Sequence, residues 1–396
     1  MIKRLMNNST NGQVLIHSSD LSDMTNQPSK NNASFKLLFL LPVQGGSGGA
    51  HSVVQESLEL YRYGIDVKIA VINKKHSTFL DNYQDIPEIQ DMVVSYEDIQ
   101  DLKLLARSFS VVCATIYNTV QDLQEILETC PHVMPAYYIQ DYEPFFSPKD
   151  TENWIAANNS YTKISNAVLF AKTQWLCDVI KHRHNVVAYK VEPSIDHQVY
   201  YPNFRKSDDM INISVMVRFT TARRAPSKTL RVIKILSELF PHRVKFTIFG
   251  SDPQRLESCR IPTPNNAQIL GLLTRPEVAS VLRNSDVFLD LSDYQAFGRT
   301  ALEAMASGTV SIVPCRGGSD EFAVPFINSL AVNTFSEREC VNAISRLIHL
   351  NPESLFQMKL NAVETASRYS TKRAAMSILN CLYPKFIQQQ KKISYS

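Results

Sequence analysis

The sequence predicts an α/β fold in which two doubly wound parallel-sheet units face each other across a cleft. Three observations predict it. From Phe35 short apolar runs alternate with amphipathic segments; the alternation restarts after the polar stretch Tyr201–Asp209; and glycine clusters stand where apolar runs give way to helical ones. In the first unit the strand-like runs are Leu37–Leu41, Val67–Ile72, Val111–Thr115, Ala136–Ile139, Ala167–Phe170 and Ala188–Val191. Between them Ala50–Tyr63, closed by Gly64, Val120–Glu128 and Gln174–Lys181 carry helical spacing. The second unit offers strands at Ile213–Val217, Lys245–Phe249, Val287–Leu291 and Val310–Val313, with helices at Thr229–Leu239, Pro276–Leu282 and Thr300–Ser307. From Glu337 the pattern is helical to about residue 390. The expected division is a polar tail over 1–33, a first domain over 34–200, a second over 201–370, and a C-terminal helix and tail over 371–396. That helix is expected to pack back across the cleft.

Composition narrows the function. With 396 residues, 44% hydrophobic, the chain is long enough for two full cores. Nineteen prolines and 12 glycines exclude a collagenous or low-complexity chain. Forty-one basic against 38 acidic residues, net +3, exclude a protein that coats nucleic acid, so any basic site is local. The seven cysteines (Cys113, Cys130, Cys177, Cys259, Cys315, Cys340, Cys381) are scattered, without a C-x-x-C pair, which argues against a disulfide framework and a zinc site. The nine histidines include no H-E-x-x-H, so no metal is expected. Met1–Ala33 is rich in Asn, Ser, Gln and Asp and reads as disordered; Lys3 and Arg4 precede no apolar run that would make a signal peptide. Leu37–Val43, the strongest apolar run, is far short of the roughly 20 residues that span a bilayer. A cytoplasmic protein is expected. For Lys391, Lys392 and the aromatics near them, peripheral contact with anionic lipid on the inner membrane face and a solvated tail both stand open, the tail being favoured.

Three segments carry candidate chemistry. Gly45, Gly46, Gly48 and Gly49, just before His51, occupy the first strand-to-helix junction, where backbone can approach a ligand and a helix start offers free N–H groups to an anion. The spacing is not G-x-G-x-x-G and no acidic residue ends the second strand, which weakens a nicotinamide enzyme; a plain tight turn gives the same pattern. Ser292–Gly308 follows a strand and opens a helix: Gly298 permits close approach, the N–H groups near Arg299 and Thr300 face the cleft, and Glu303 lies just over a turn inside. Such a start can hold a diphosphate while the glutamate accepts from a sugar hydroxyl. Tyr137–Phe146 runs a strand into Gln140, Asp141, Tyr142 and Glu143 among aromatic rings, a wall suited to sugar faces and hydroxyls, though also to an ordinary proline-stopped strand end. Trp154 and Trp175 are assigned to the core.

Ser292–Glu321 resembles the signature of GT-B glycosyltransferases of the family-4 type: a serine, E-G-F-G, a second glutamate eight residues after the first, A-M-A-x-G and a later G-G. Val191–Asp196 followed by Tyr201-Pro202 is similar to the family's P-N-G-V-D…F-x-P hinge, Val217–Arg223 to its G-R-x-x-x-x-K phosphate pair, and Phe249–Ser251 to the strand-end glycine beside the nucleotide. The likeness runs over about residues 35–370. Gln140–Pro144 together with Phe297–Arg299 narrows it to rhamnosyltransferases of the rhamnan-synthesis type, which use dTDP-L-rhamnose. The departures are Gln295 for the first glutamate, Ala296 for the following glycine, Arg223 for the lysine and Val217 for the glycine before Arg218. Gln295 keeps an acceptor and gains a donor, and Arg223 replaces a point charge with a fork.

The resemblance implies two Rossmann-like domains in a GT-B arrangement. It also implies transfer of a sugar, L-rhamnose, from a nucleoside diphosphate to a hydroxyl of a growing cell-surface glycan, lipid-linked or free, with retention at the anomeric carbon and without cofactor, metal or nucleic acid. Carried onto this chain, Arg218, Arg223 and the N–H groups at Arg299 and Thr300 would hold the diphosphate, and Gly250, Phe297, Gly298 and Glu303 the nucleoside side. Gln295 would grip the donor sugar, the Gly45–Gly49 loop would face sugar and acceptor, and His51 with Gln140, Asp141, Tyr142 and Glu143 would form the acceptor side. Asp141 or Glu143 as a general base is the inverting alternative. A dinucleotide-dependent oxidoreductase and a non-catalytic glycan-binding scaffold are the competing classes; Arg218, Arg223 and Glu303 speak against the scaffold.

Overall fold

The structure is a computed structural model and describes residues 34–43, 45–46, 48–204, 210–219, 221–257 and 261–395. The tail expected over 1–33, Gln44 and Ser47 of the glycine loop, residues 205–209 and Cys259 lie outside the described residues.

The N-terminal unit runs β1 (Lys36–Leu40), α1 (Gly48–Arg62), β2 (Asp66–Ile72), α2 (Asn73–Asp81), α3 (Ile89–Met92), β3 (Val93–Tyr96), α4 (Ile99–Ala106), β4 (Val111–Ala114), α5 (Tyr117–Thr129), β5 (Met134–Ile139), α6 (Glu152–Ser160), β6 (Val168–Ala171), α7 (Gln174–His184) and β7 (Tyr189–Lys190). Its seven strands are all parallel, in the order β3-β2-β1-β4-β5-β6-β7. The C-terminal unit runs β8 (Ile211–Met216), α8 (Pro226–Leu239), β9 (Val244–Phe249), α9 (Pro253–Glu257), β10 (Ala267–Gly271), α10 (Arg275–Arg283), β11 (Val287–Leu289), α11 (Arg299–Ala306), β12 (Val310–Pro314) and β13 (Ser329–Val332), then α12 (Glu337–Ile348), α13 (Pro352–Ser367) and α14 (Thr371–Tyr395). Its six strands are again parallel, ordered β10-β9-β8-β11-β12-β13.

Central strands such as LFL in β1, VVCA in β4 and VSIVP in β12 are buried on both faces, as parallel strands between helix layers must be. Each sheet carries one apolar core on each face. One face of the first sheet is completed by α14, whose Ala375, Ile378, Leu382 and Phe386 pack with Leu37 and Phe39 of β1. The Phe35 ring meets Tyr383 and Phe386 edge-on at 5.6 and 5.4 Å. The last helix therefore crosses back to the first unit, as the sequence suggested, and there joins its core. The chain crosses between units twice, and the crossings touch where Ile195 N–H donates to Tyr369 O at 3.2 Å.

In both sheets the order reverses beside the first strand, between β1 and β4 and between β8 and β11. Loops leaving such neighbouring strands in opposite directions open a crevice at their carboxyl ends. Among the described residues no helix is long and apolar enough to cross a membrane.

Some elements went unread in the sequence: β3, β10 and β13, and the helices α2, α3, α4, α6 and α9. The three strands are four or five residues long, and each lies at a sheet edge. Trp154 and Trp175 are half-buried; Trp154 joins no core cluster of the described residues, whereas Trp175 packs against the first unit's core and lies 5.9 Å from the Tyr294 ring.

Candidate active site

The second unit's face of the cleft is built from backbone. Arg218 follows β8, and beside it β9 ends at Gly250, whose φ is +94°. A Cβ there would stand 2.8 Å from Met216 Cγ and 3.2 Å from Val217 O, so a side chain is excluded by conformation and by space. After β11 the chain loops through Asp290–Phe297 to Gly298, φ +93°, which starts α11 in the left-handed region and leaves the first N–H groups of the helix directed outward. Glu303, one turn inside, is buried; burial pushes its carboxyl up to about 7 against the opposing pull of Arg299, Arg275 and Arg218. Arg218, Gly250, Arg299, Thr300 and Glu303 line one pocket, together with Gly46, Gly48 and His51 from the first unit.

On the first unit's face, Gly45 and Gly46 take φ of +83° and +71°, and a Cβ on Gly45 would lie 2.8 Å from the Tyr83 ring. Gly48 and Gly49 begin α1 and lie against Arg299 and Gln140. His51 meets the Tyr83 ring at 5.4 Å. Burial, then Arg299, Arg275 and Arg218, hold its imidazole well below the usual range, so it is neutral, and its Nδ1 has no partner. Gln140 lines a second, adjoining pocket with neither amide atom bonded.

Several expected roles meet different geometry. Tyr142 is not on the acceptor wall: its ring stacks on Tyr161 at 5.7 Å inside the first unit and its hydroxyl lies 3.1 Å from His184 Nε2. The Glu143 carboxylate is turned to the start of α5, accepting from Tyr117 N–H at 2.6 Å and Tyr137 hydroxyl at 3.3 Å; burial pushes it up to about 8, which favours the protonated form at neutral pH. Asp141 is not free as a base, because Oδ1 accepts from Tyr142 N–H at 2.8 Å and Oδ2 pairs with Arg223 at 2.5 Å. Arg223 is thus engaged by Asp141 through Nη2, while its Nε has no partner and its side chain lines the second pocket. It spans the cleft to Asp141, and lies over the Tyr294 and Phe146 rings at 4.9 and 5.5 Å. Gln295 is buried with its Nε2 on Asp290 Oδ2 and Ser292 Oγ and its Oε1 3.4 Å from Arg223 Nη1, so the amide is held by protein. Phe297 packs edge-on against Phe322 at 5.5 Å, although it also borders the second pocket.

Three side chains that the sequence reading passed over stand in the cleft. Arg224 lines both pockets, with Asp290 at 3.8 Å and burial bringing its guanidinium down to about 10. The adjacent basic doublet could have signalled it, since a one-residue change of register exchanges it with Arg223. Lys172, directly after buried β6, lines the second pocket, donates to Ser52 Oγ and lies near buried Glu56; burial lowers it to about 7. A charge ending a buried strand was its signal. Arg275 opens α10 and reaches Asp85 of the first unit at 2.9 Å and Asp196 at 3.2 Å. Its partners lie too far off in sequence for any local signal.

The Arg299 side chain also crosses the cleft, to Gln55 Oε1 at 3.0 Å, Ser194 O at 3.0 Å and Ser52 Oγ at 3.1 Å. The later glycine pair serves contact: a Cβ on Gly317 would fall 1.9 Å from Gln295 O and one on Gly318 2.1 Å from Ala296 O. Among the described residues no group of three or more His, Cys, Asp or Glu is placed to hold a metal ion.

Residues 202–365 match the family model described as glycosyl transferases group 1. Two relatives from Arabidopsis thaliana are similar over part of the chain. One, a component of phosphatidylinositol N-acetylglucosaminyltransferase, is 29% identical over 42% of this chain, and the sulfoquinovosyl transferase SQD2 is 23% identical over 48%. The matches span 38% of each relative's length. Among solved structures, Anabaena HepE in complex with UDP and glucose superposes with a TM-score of 0.72 at 16% identity, covering 88% of this chain and 99% of that one. Sucrose-phosphate synthase from Thermosynechococcus elongatus superposes with a TM-score of 0.69 at 13% identity, covering 89% and 99%. The fold is GT-B.

Proposed function

We propose that this chain is a glycosyltransferase that moves a sugar from a nucleoside diphosphate to a hydroxyl of a growing cell-surface glycan. One observation carries the reading. At the switch points of two parallel sheets, four guanidinium groups (Arg218, Arg224, Arg275, Arg299) line one pocket with a single carboxylate, Glu303. Polar atoms beside them, His51 Nδ1, Arg275 Nε and Nη1 and Arg299 Nε, are buried without partners. Buried guanidinium donors left unmatched in a cationic crevice fit an absent nucleoside diphosphate, whose phosphate oxygens and neutral oxygens both accept.

In this reading Arg218, Arg224 and the N–H groups opening α11 hold the diphosphate and stabilise the negative charge that grows on it as the glycosidic bond breaks. Glu303 accepts from the ribose. Neutral His51 and the unbonded Gln140 amide face donor sugar and acceptor. Arg223 and Asp141, locked together, set the distance between the two faces and shape the second pocket. The departing phosphate oxygen takes the acceptor proton on the same face, which gives retention without a nucleophile from the chain. L-Rhamnose from dTDP-L-rhamnose is the proposed donor, on the Gln140–Pro144 and Phe297–Arg299 segments. The reaction is placed in the cytoplasm, with the acceptor presented at the inner membrane face.

A donor panel tests this. With dTDP-L-rhamnose, UDP-glucose and other nucleotide sugars each in turn, the cognate donor at 100 times its dissociation constant should stabilise the fold by about 2.7 kcal/mol and release nucleoside diphosphate with acceptor. Preference for UDP-glucose would overturn the rhamnosyl assignment and leave the reaction class. The grip of Asp290 and Arg223 on Gln295 favours one second reading, a glycan-binding scaffold, which would release no nucleoside diphosphate from any donor.

A further inference from the structure

Arg275 is attached to the cleft from both sides. Its side chain is 8% exposed, and Nη2 carries two carboxylates, Asp85 Oδ2 at 2.9 Å from the first unit and Asp196 Oδ2 at 3.2 Å from the chain crossing. The other two nitrogens, Nε and Nη1, are buried and have no hydrogen-bond partner. A guanidinium carries five N–H donors and cannot shed its charge, so unmatched buried donors cost free energy unless something else accepts from them. The group borders the nucleotide pocket, and its charge is felt at both His51 and Glu303 on that pocket's wall. Leu272, Leu273 and Val278, from the same strand-to-helix segment, supply apolar surface beside it.

Two carboxylates already balance the charge of Arg275. With Nη2 taken by the two carboxylates, what it offers the pocket is the unmatched N–H donors of Nε and Nη1, next to apolar surface. That combination suits a neutral acceptor oxygen better than a phosphate. Resting on the donor reading above, we infer that Arg275 is a nucleoside-binding residue: Nε and Nη1 donate to a ribose hydroxyl or a pyrimidine carbonyl of the bound nucleoside diphosphate. Nη2 meanwhile stays on Asp85 and Asp196. One side chain thus reads the nucleoside and fastens the second unit to the first.

Calorimetric titration of the full chain with UDP, dTDP and inorganic pyrophosphate tests it. Arg275→Gln should weaken the nucleoside diphosphate that the parent binds by tenfold or more and leave pyrophosphate within twofold. Arg275→Lys, which keeps a charge for Asp85 and Asp196 but loses the planar donors, should show the same loss, and it decides the matter if the Gln variant does not fold. Asp85→Asn, which breaks only the tie to the first unit, should weaken the nucleoside diphosphate by less than threefold. Unchanged nucleoside diphosphate affinity in the Lys variant would overturn the inference; so would an equal loss for pyrophosphate, or an Asp85→Asn loss as large as that of Arg275→Gln. Arg218→Ala separates this from the donor reading. If the parent binds and Arg218→Ala abolishes binding while Arg275 variants bind normally, only the inference falls. If the parent binds neither nucleotide, both fall.

Discussion

The two faces of the cleft occupy equivalent topological positions yet are made differently. On the second unit, the groups that line the cleft include backbone features, Gly250 and Gly298 at φ +94° and +93° and the start of α11, with Arg218 just past a strand end. On the first unit, Gln140, Asp141 and Glu143 border the second pocket, but the two carboxylates are engaged by protein and Tyr142 is interior. Tyr142 stacks in the core, the Glu143 carboxyl caps a helix start, and Asp141 is spent on Arg223. The difference teaches that a positive-φ glycine before a helix fixes both conformation and orientation. Aromatics and carboxylates after a strand fit a core as well as a carbohydrate.

The largest expected effect breaks the comparison on the second unit. Arg218→Ala should cut donor turnover by about a hundredfold or more, the usual consequence of deleting one preorganised group that meets developing charge. Steady-state rates with unchanged unfolding temperature check it, and a normal rate removes Arg218 from the diphosphate. Next comes the cross-cleft pair. Arg223→Met leaves a buried Asp141 carboxylate unpaired and should cost about 3 kcal/mol in urea unfolding, with most of the loss recovered in the Arg223→Met/Asp141→Asn double variant. A pair that served phosphate binding alone would give no such recovery.

Tyr142→Phe sharpens the contrast from the other side. It should cost about 1 kcal/mol of stability through the lost hydroxyl contact with His184 and leave the acceptor KM unchanged; a raised KM would return Tyr142 to the acceptor wall. The smallest effect is a pH dependence. Burial raises the Glu303 carboxyl from 4.5 to about 7, so its ionised form is half-lost near neutrality. Donor affinity should fall as pH drops from 8 to 6, and Glu303→Gln should flatten that slope. In the free protein the sign is opposite: the raised value contributes stability fully present below pH 4.5 and lost as pH rises through 7. Glu303→Gln should therefore gain on the parent in unfolding free energy at pH 8 relative to pH 5.

How much was legible follows the same division. Runs such as Leu37–Leu40 and Val310–Val313 declare buried parallel strands because nothing polar interrupts them for long, whereas SLAV in β13 and VVSY in β3 are too short and mixed to show a period. Gly250 and Gly298 were readable because local backbone geometry demands glycine there, and Arg218 was readable through the phosphate-pair resemblance. The pairing of Arg223 was not readable because Asp141, 82 positions away, meets it only once the units face each other. Arg275 was invisible for the same reason, its partners lying 190 and 79 positions off. The Gly317-Gly318 pair was legible as the later G-G of the signature, while its function, letting two backbone segments touch, needed the fold.

The central claim is that the diphosphate lies between Arg218 and the start of α11. A crystal structure of the chain with dTDP or UDP tests it most directly. The account predicts phosphate oxygens within hydrogen-bond distance of the Arg218 guanidinium and of the N–H groups at Arg299 and Thr300. A nucleotide seated elsewhere, or a cleft that stays empty at saturating nucleotide, would contradict it.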